Sequence, residues 1–181
     1  MSQTVCPAWL SFFLENGLRK KFHNPEIILK GYIKPGDTAV DIGCGPGYFS
    51  IPMAKMTGKS GKVIPVDIQE KMLRRVDAYA KRYHVEDILQ LTKCTTSDIC
   101  VTDKADFILS FWMVHEVRDV DALMKQIYKI LKPGGFYLLS EPKIHVSDKK
   151  YLEIIKLAES AGLKMVREVK IRGSRSMVFT V

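Results

Sequence analysis

A chain of 181 residues, 46% hydrophobic and 27% charged, has room for one globular domain and one buried core, and no separate substrate domain fits beside it. No apolar run approaches the roughly 18 residues of a bilayer crossing, and Met1-Ser2-Gln3-Thr4-Val5-Cys6 lacks the basic region and apolar core of a secretory leader, so a cytoplasmic location is expected. The formal charge of +8 favours anionic partners, but its clusters, such as Arg19-Lys20-Lys21, Arg74-Arg75, Lys81-Arg82 and Lys149-Lys150, fall in separate segments, as on a solvated surface.

Residues 7–16 carry Trp9, Leu10, Phe12, Phe13 and Leu14 and predict a short apolar helix that must lie on something. Asn24-Pro25-Glu26 then gives a cap, a proline at the first helical position and an acid in the first turn, predicting a helix from residue 25 to about residue 30. From there apolar strands alternate with helical patterns, which argues for a parallel sheet covered on both faces. Strands are predicted over 38–42, 62–66, 88–93, 105–111 and 136–140, and helices over 48–56, 69–83 and 148–161. Between the third and fourth strands a full helix is missing. Asp119 caps a helix with apolar positions Val120, Leu123, Ile127, Ile130 and Leu131, stopped by Pro133-Gly134-Gly135. Segments 164–171 and 176–181 flank a tight turn at Arg172-Gly173-Ser174 and pair antiparallel.

The most informative run is Ala39-Val40-Asp41-Ile42-Gly43-Cys44-Gly45-Pro46-Gly47-Tyr48, a buried strand that ends in a glycine turn and feeds a helix. Its spacing is G-x-G-x-G rather than the G-x-G-x-x-G of dinucleotide sites, and Asp41 stands two residues before the first glycine, where a carboxylate suits a cation better than a pyrophosphate. Cys6, Cys44, Cys94 and Cys100 form no C-x-x-C pair and have no histidine at ligand spacing, so neither a metal site nor a disulfide framework is expected.

Asp41-Ile42-Gly43-Cys44-Gly45-Pro46-Gly47, followed about twenty residues later by Val66-Asp67, resembles the signature of class I S-adenosylmethionine-dependent methyltransferases. Trp112-Met113-Val114-His115-Glu116-Val117 and Leu131-Lys132-Pro133-Gly134-Gly135 make the chain most similar to the small-molecule branch that contains the ubiquinone and menaquinone biosynthesis enzymes. The resemblance covers most of the chain and implies an α/β fold. That fold is a single doubly wound, Rossmann-like seven-stranded sheet of order 3-2-1-4-5-7-6, its last strand antiparallel, with helices on both faces. Residues 1–33 would be a helical cap and 34–181 the cofactor-binding core.

The resemblance also assigns a site for S-adenosylmethionine, left as S-adenosylhomocysteine after transfer. Gly43, Gly45 and Gly47 would keep the turn clear for the ligand, with Cys44 shaping it and Tyr48 and Met72 beside it, while Asp41 would face the cationic end. Asp67 would accept from both ribose hydroxyls, with Ile68 beside the adenine; a helix-capping Asp67 is the competing reading. Ser97, Asp98 and Ile99 would meet the adenine amino group and ring, or be a surface turn. Backbone carbonyls at Ser110 and Phe111 would hold the ammonium, with the rings of Phe111 and Trp112 lining the channel or filling the core.

A sulfonium is already activated, so methyl transfer needs alignment first and a base only when the acceptor must lose a proton. His115 is best placed to take it, then Glu116, then Glu141. Trp9, Phe13, Trp112, His115 and Glu141 are the candidate acceptor residues. The segment Ser110-Phe111-Trp112-Met113 departs from the N-P-P-Y pattern of nucleobase amino methylation, which disfavours that chemistry. A small-molecule acceptor is therefore expected, with a homodimer as a further expectation. The alternatives are an RNA or protein methyltransferase, or a methyltransferase-like binding module without catalysis.

Overall fold

The computed structural model describes residues 22–181; Trp9, Phe13 and the helix expected over 7–16 lie outside these. Helix α1 (Pro25–Leu29) begins as its sequence dictates, the Asn24 side chain accepting from the Glu26 N–H at 3.0 Å. Strand β1 (Thr38–Ile42) follows, then α2 (Ser50–Thr57), β2 (Lys62–Asp67) and α3 (Glu70–Tyr83). Beyond a 3-10 turn at Glu86–Ile88 come β3 (Thr92–Lys93), β4 (Ala105–Phe111) and a second 3-10 turn at Val114–Glu116. Helix α4 (Val120–Ile130), β5 (Leu131–Pro142), α5 (Asp148–Ser160), β6 (Lys164–Glu168) and β7 (Ser174–Thr180) complete the chain.

The seven strands form one sheet in the order β3-β2-β1-β4-β5-β7-β6. Pairings from β3 through β5 are parallel, and β7 runs antiparallel to both β5 and β6. The order and the reversed last strand are those the resemblance implies. Strand side chains alternate between faces, so each strand feeds two cores. Val40, Ile64, Ile108, Tyr137 and Leu139 meet α4 and α5 on one side, where Ile127 and Ile154 are fully buried. Ala39, Val63, Phe107, Leu109 and Leu138 meet α1 and α2 on the other. Each fully buried aliphatic side chain contributes roughly 1.5–3 kcal/mol, which is what fixes the register against a one-residue slip.

Several predicted boundaries move for local reasons. Helix α2 starts at Ser50 rather than residue 48, which places Pro52 third, in the turn whose N–H groups have no helical acceptor. The third strand predicted over 88–93 shrinks to Thr92–Lys93, because Ile88 is drawn into the core from a 3-10 turn and only a single bridge, Val63 to Leu89, precedes the paired residues. Leu131 belongs to β5 and not to the preceding helix. It already pairs with Ala105, and residues 132–135 swing out before Phe136 rejoins Phe107. Strand β6 ends at Glu168, and β7 starts early, at Ser174. No helix intervenes between β3 and β4, as expected. Among the described residues no helix is long and apolar enough to cross a membrane.

Candidate active site

The parallel register brings the carboxyl ends of β1, β2, β4 and β5 to one edge of the sheet, the edge at which open α/β folds bind ligands. After β1 the backbone turns sharply, with the N–H groups of Gly43 and Cys44 both donating to the Val66 carbonyl, at 2.8 and 3.0 Å. Gly43 has φ +70°, and a Cβ there would lie 2.8 Å from the Met113 side chain, so this position admits only glycine without rearrangement. Gly45, at φ +53°, faces open space, with nothing within 4 Å of where its Cβ would stand. A ligand can therefore reach its backbone.

Asp67 closes β2 and is 7% exposed. Its Oδ2 accepts from the Gly45 N–H at 2.9 Å and its Oδ1 from the Gln69 N–H at 2.8 Å. The carboxylate thus ties the glycine turn to the entrance of α3, yet each oxygen keeps a lone pair for a further donor. Burial raises its pKa above the ordinary 3.8, against the lowering effect of those backbone bonds. The cap position of α3 is Gln69, which has no side-chain cap bond, so Asp67 accepts from the residue leading into the helix rather than capping it. The bond to Gly45 ties the carboxylate to the glycine turn after β1.

Asp41 is 2% exposed and accepts the Ser50 hydroxyl at 2.6 Å, which joins β1 to the start of α2. Burial first, then the charges of Asp41 and Asp67, hold the Cys44 thiol well above its usual pKa, so it stays protonated and shapes the turn. Ile68 is half-buried and Met72 fully packed on α3, while the Tyr48 hydroxyl donates to the His23 carbonyl at 2.9 Å. Pro46, Gly47 and Tyr48 also border a groove of about 590 Å³ that runs away along α2 and α3 to Tyr79 and Tyr83 and includes neither Asp67 nor His115.

The loop after β3 is built as a turn. The hydroxyl of Thr95 accepts from the Asp98 N–H at 3.0 Å, and the Asp98 carboxylate accepts from the Cys100 N–H at 2.6 Å. Asp98 and Ser97 are exposed, whereas Ile99 is 6% exposed and packed in the core. Gln126 of α4 clamps this loop, accepting from the Ile99 N–H at 2.9 Å and donating to the Ser97 carbonyl at 3.0 Å. Sequence reasoning missed Gln126, which sits on the helix between expected apolar positions with no motif to mark it.

At the end of β4 the Ser110 side chain is wholly buried and shares a 2.7 Å hydrogen bond with the Tyr137 hydroxyl, leaving only its backbone for any ligand. Phe111 packs on Phe49 with centroids 4.7 Å apart and belongs to the core, as its apolar reading allowed. Trp112 adopts φ +61°, a left-handed backbone costly for a bulky side chain. Its N–H donates to the Ser140 carbonyl and its indole N–H to the Ser174 hydroxyl, both at 2.8 Å, and the His23 ring meets it edge-on at 4.9 Å. His23 is 6% exposed, with Nε2 2.7 Å from the Arg172 carbonyl. Neither His23 nor Ser174 carries a sequence signal.

Two candidates named separately from sequence stand together here. Glu141, fully buried at the end of β5, accepts from the N–H groups of Val114 and His115 at 3.1 and 3.2 Å, and its Oε2 lies 2.6 Å from His115 Nδ1. A carboxylate only accepts, so Nδ1 carries the proton and Nε2 of the neutral ring presents its lone pair. The bond to Glu141 raises the His115 pKa above 6.5, outweighing the opposing effect of burial. Adjacent strand ends make the pair, since Phe111 lies opposite Ser140 in the ladder. Glu116 is exposed, and its charge adds to the upward pull on the His115 pKa.

A family model described as a methyltransferase domain matches residues 33–170. The demethylmenaquinone methyltransferase of Lactobacillus johnsonii is 35% identical over 127 residues, 70% of this chain and 50% of that protein. The carboxy-S-adenosyl-L-methionine synthase of Hydrogenovibrio crunogenus is 26% identical over 125 residues, 68% of this chain and 49% of that protein. The chain thus spans about half the length of the curated relatives it matches. Among solved structures, a SAM-dependent methyltransferase from Aquifex aeolicus superposes with a TM-score of 0.87 at 22% identity, covering 98% of this chain and 100% of that one, a likeness of fold.

Proposed function

The chain belongs to the methyltransferase-domain family, and from that premise we propose that it moves a methyl group from S-adenosylmethionine to a small-molecule acceptor whose proton is taken by His115. The observation that carries the reading is the placement of two unlike devices on one sheet edge. A nucleoside ledge is built by Gly45 and Asp67, and a proton acceptor by His115 and Glu141.

The residues present fit the cofactor. Gly45 opens onto free space, the Asp67 carboxylate has acceptor capacity for a vicinal diol, and Asp41 supplies a buried negative group for a cationic ligand. Ile68, Met72, Ser97, Asp98 and Ile99 would bound the adenine, and the backbone at Ser110 and Phe111 the amino acid end. Bound S-adenosylmethionine supplies an electrophilic methyl group on a sulfonium sulfur. His115 Nε2 accepts the proton that the acceptor atom releases as it becomes nucleophilic, and the buried Glu141 carboxylate stabilises the imidazolium so formed. Trp112 and the exposed loop after β5 would flank the acceptor.

The 35% identical relative named demethylmenaquinone methyltransferase supports a small-molecule acceptor in this chain. Calorimetry with S-adenosylmethionine and S-adenosylhomocysteine tests the ledge, and transfer of labelled methyl to candidate phenols and quinols by the wild type and by His115→Ala tests the base. Absence of binding at millimolar cofactor would leave a fold used for something other than methylation.

A further inference from the structure

Tyr151 on α5 is 8% exposed, and its hydroxyl is the buried side-chain polar atom that has no hydrogen-bond partner among the described residues. A phenol buried without a partner forfeits its hydration, so such a group calls for an explanation. Its surroundings supply one. Glu141 and Arg175 are direct cross-strand partners on β5 and β7, and both point to the face that α5 covers, as Tyr137, Leu139 and Met177 do. Arg175 is held there by Asp148 at the start of α5 and by the Val146 carbonyl at 3.0 Å. The charged groups acting on the Tyr151 hydroxyl are Glu168, Glu141 and Arg175, and the hydroxyl in turn acts on Tyr137.

We propose that Tyr151 is a positioning residue of the proton-accepting pair, its hydroxyl donating through one bridging water to Glu141 Oε1, the carboxylate oxygen that accepts only the Val114 N–H. The inference rests on the reading of His115 and Glu141 as that pair. Glu141 already accepts two backbone N–H groups and the His115 Nδ1–H, and a fourth donor completes the lone pairs of a carboxylate. A donor at Oε1 draws negative charge away from Oε2 and so from His115. Tyr151 therefore sets how strongly Glu141 supports the imidazolium, without touching cofactor or acceptor.

The experiment is a titration of the His115 ring by NMR in the ligand-free protein, comparing wild type, Tyr151→Phe and Glu141→Gln, with the pH profile of methyl transfer beside it. The groups that face His115 are Glu141, Glu116 and His145, and those that face Tyr151 are Glu168, Glu141, Arg175 and Tyr137. Loss of the phenol donor in Tyr151→Phe should move the His115 midpoint up by about half a pH unit, and Glu141→Gln should move it down. If Tyr151→Phe raises thermal stability and leaves the midpoint unmoved while Glu141→Gln lowers it, the hydroxyl is uncoupled and the inference falls alone. If Glu141→Gln also leaves it unmoved, the pair itself falls and the inference with it.

Discussion

Burial lifts the Asp67 carboxyl above 3.8, so the native state binds its proton more readily than the unfolded chain does. Its contribution to stability is therefore present at low pH and lost as pH rises through the folded value, and keeping the charge buried at neutral pH costs the ligand-free fold something. Two ribose hydroxyls would repay that cost through hydrogen bonds to a charged acceptor. Removing them with Asp67→Ala should weaken cofactor binding by about 3 kcal/mol, roughly a hundredfold, in calorimetry. His115 shares the sign but not the cause, since a charged partner and not burial raises it. Its pKa is raised above 6.5 by Glu141, so the pair's contribution to stability is fully present below 6.5 and is lost as pH climbs through the raised value. As a base the ring must be neutral, so the acid limb of kcat/KM should lie above pH 6.5. Glu141→Gln should move that limb to lower pH and reduce the plateau rate about tenfold or more, read from a rate profile between pH 5 and 9.

At the scale of elements, the site depends on how loops after adjacent strands lock against each other. The turn after β1 meets the turn after β4 where the vacant side of Gly43 accepts Met113, 2.8 Å from a would-be Cβ. Gly43→Ala should destabilise by about 3 kcal/mol, of which about 1–2 kcal/mol is the left-handed backbone at φ +70° and the rest the collision. In a denaturation cycle with Met113→Gly, the double variant should be less destabilised than the sum of the single losses by at least about 1 kcal/mol. Additive losses would remove Met113 from the explanation. The glycine turn and Asp67 were legible in the sequence because each needs a residue type at a fixed place on a strand end, and the strand order was legible through the family signature. The union of His115 with Glu141 was not, since the partners are 26 residues apart and meet only through the β4 to β5 register. Nor was the left-handed Trp112, whose chemistry gives no hint of its backbone. The third strand was overcalled because an apolar run at a sheet edge looks the same whether it pairs or merely buries one side chain, here Ile88.

For the molecule as a whole, the question left by a charge of +8 is whether the acceptor is a nucleic acid. Among the described residues, seven basic side chains are engaged with carboxylates. Lys62, Lys81, Lys93, Lys125, Lys132 and Lys150 each pair with a carboxylate, as does Arg175, and these pairs sit on different helices, strands and loops. Exposed pairs of this kind add little stability, but each one lowers the local potential that would attract a phosphate. A protein that grips six to ten phosphates loses about 10³–10⁵ in affinity between 50 and 200 mM salt, because bound counterions are released on contact. Cations spread over separate elements, some of them already paired, make a poor track for a phosphate backbone. Fluorescence titration of a generic single-stranded RNA should therefore give weak binding that falls less than about tenfold over that salt range. A loss of a thousandfold would mean that at least six phosphates are contacted together, and would move the acceptor from a small molecule to RNA while leaving the Asp67 ledge and the His115–Glu141 pair in the same roles.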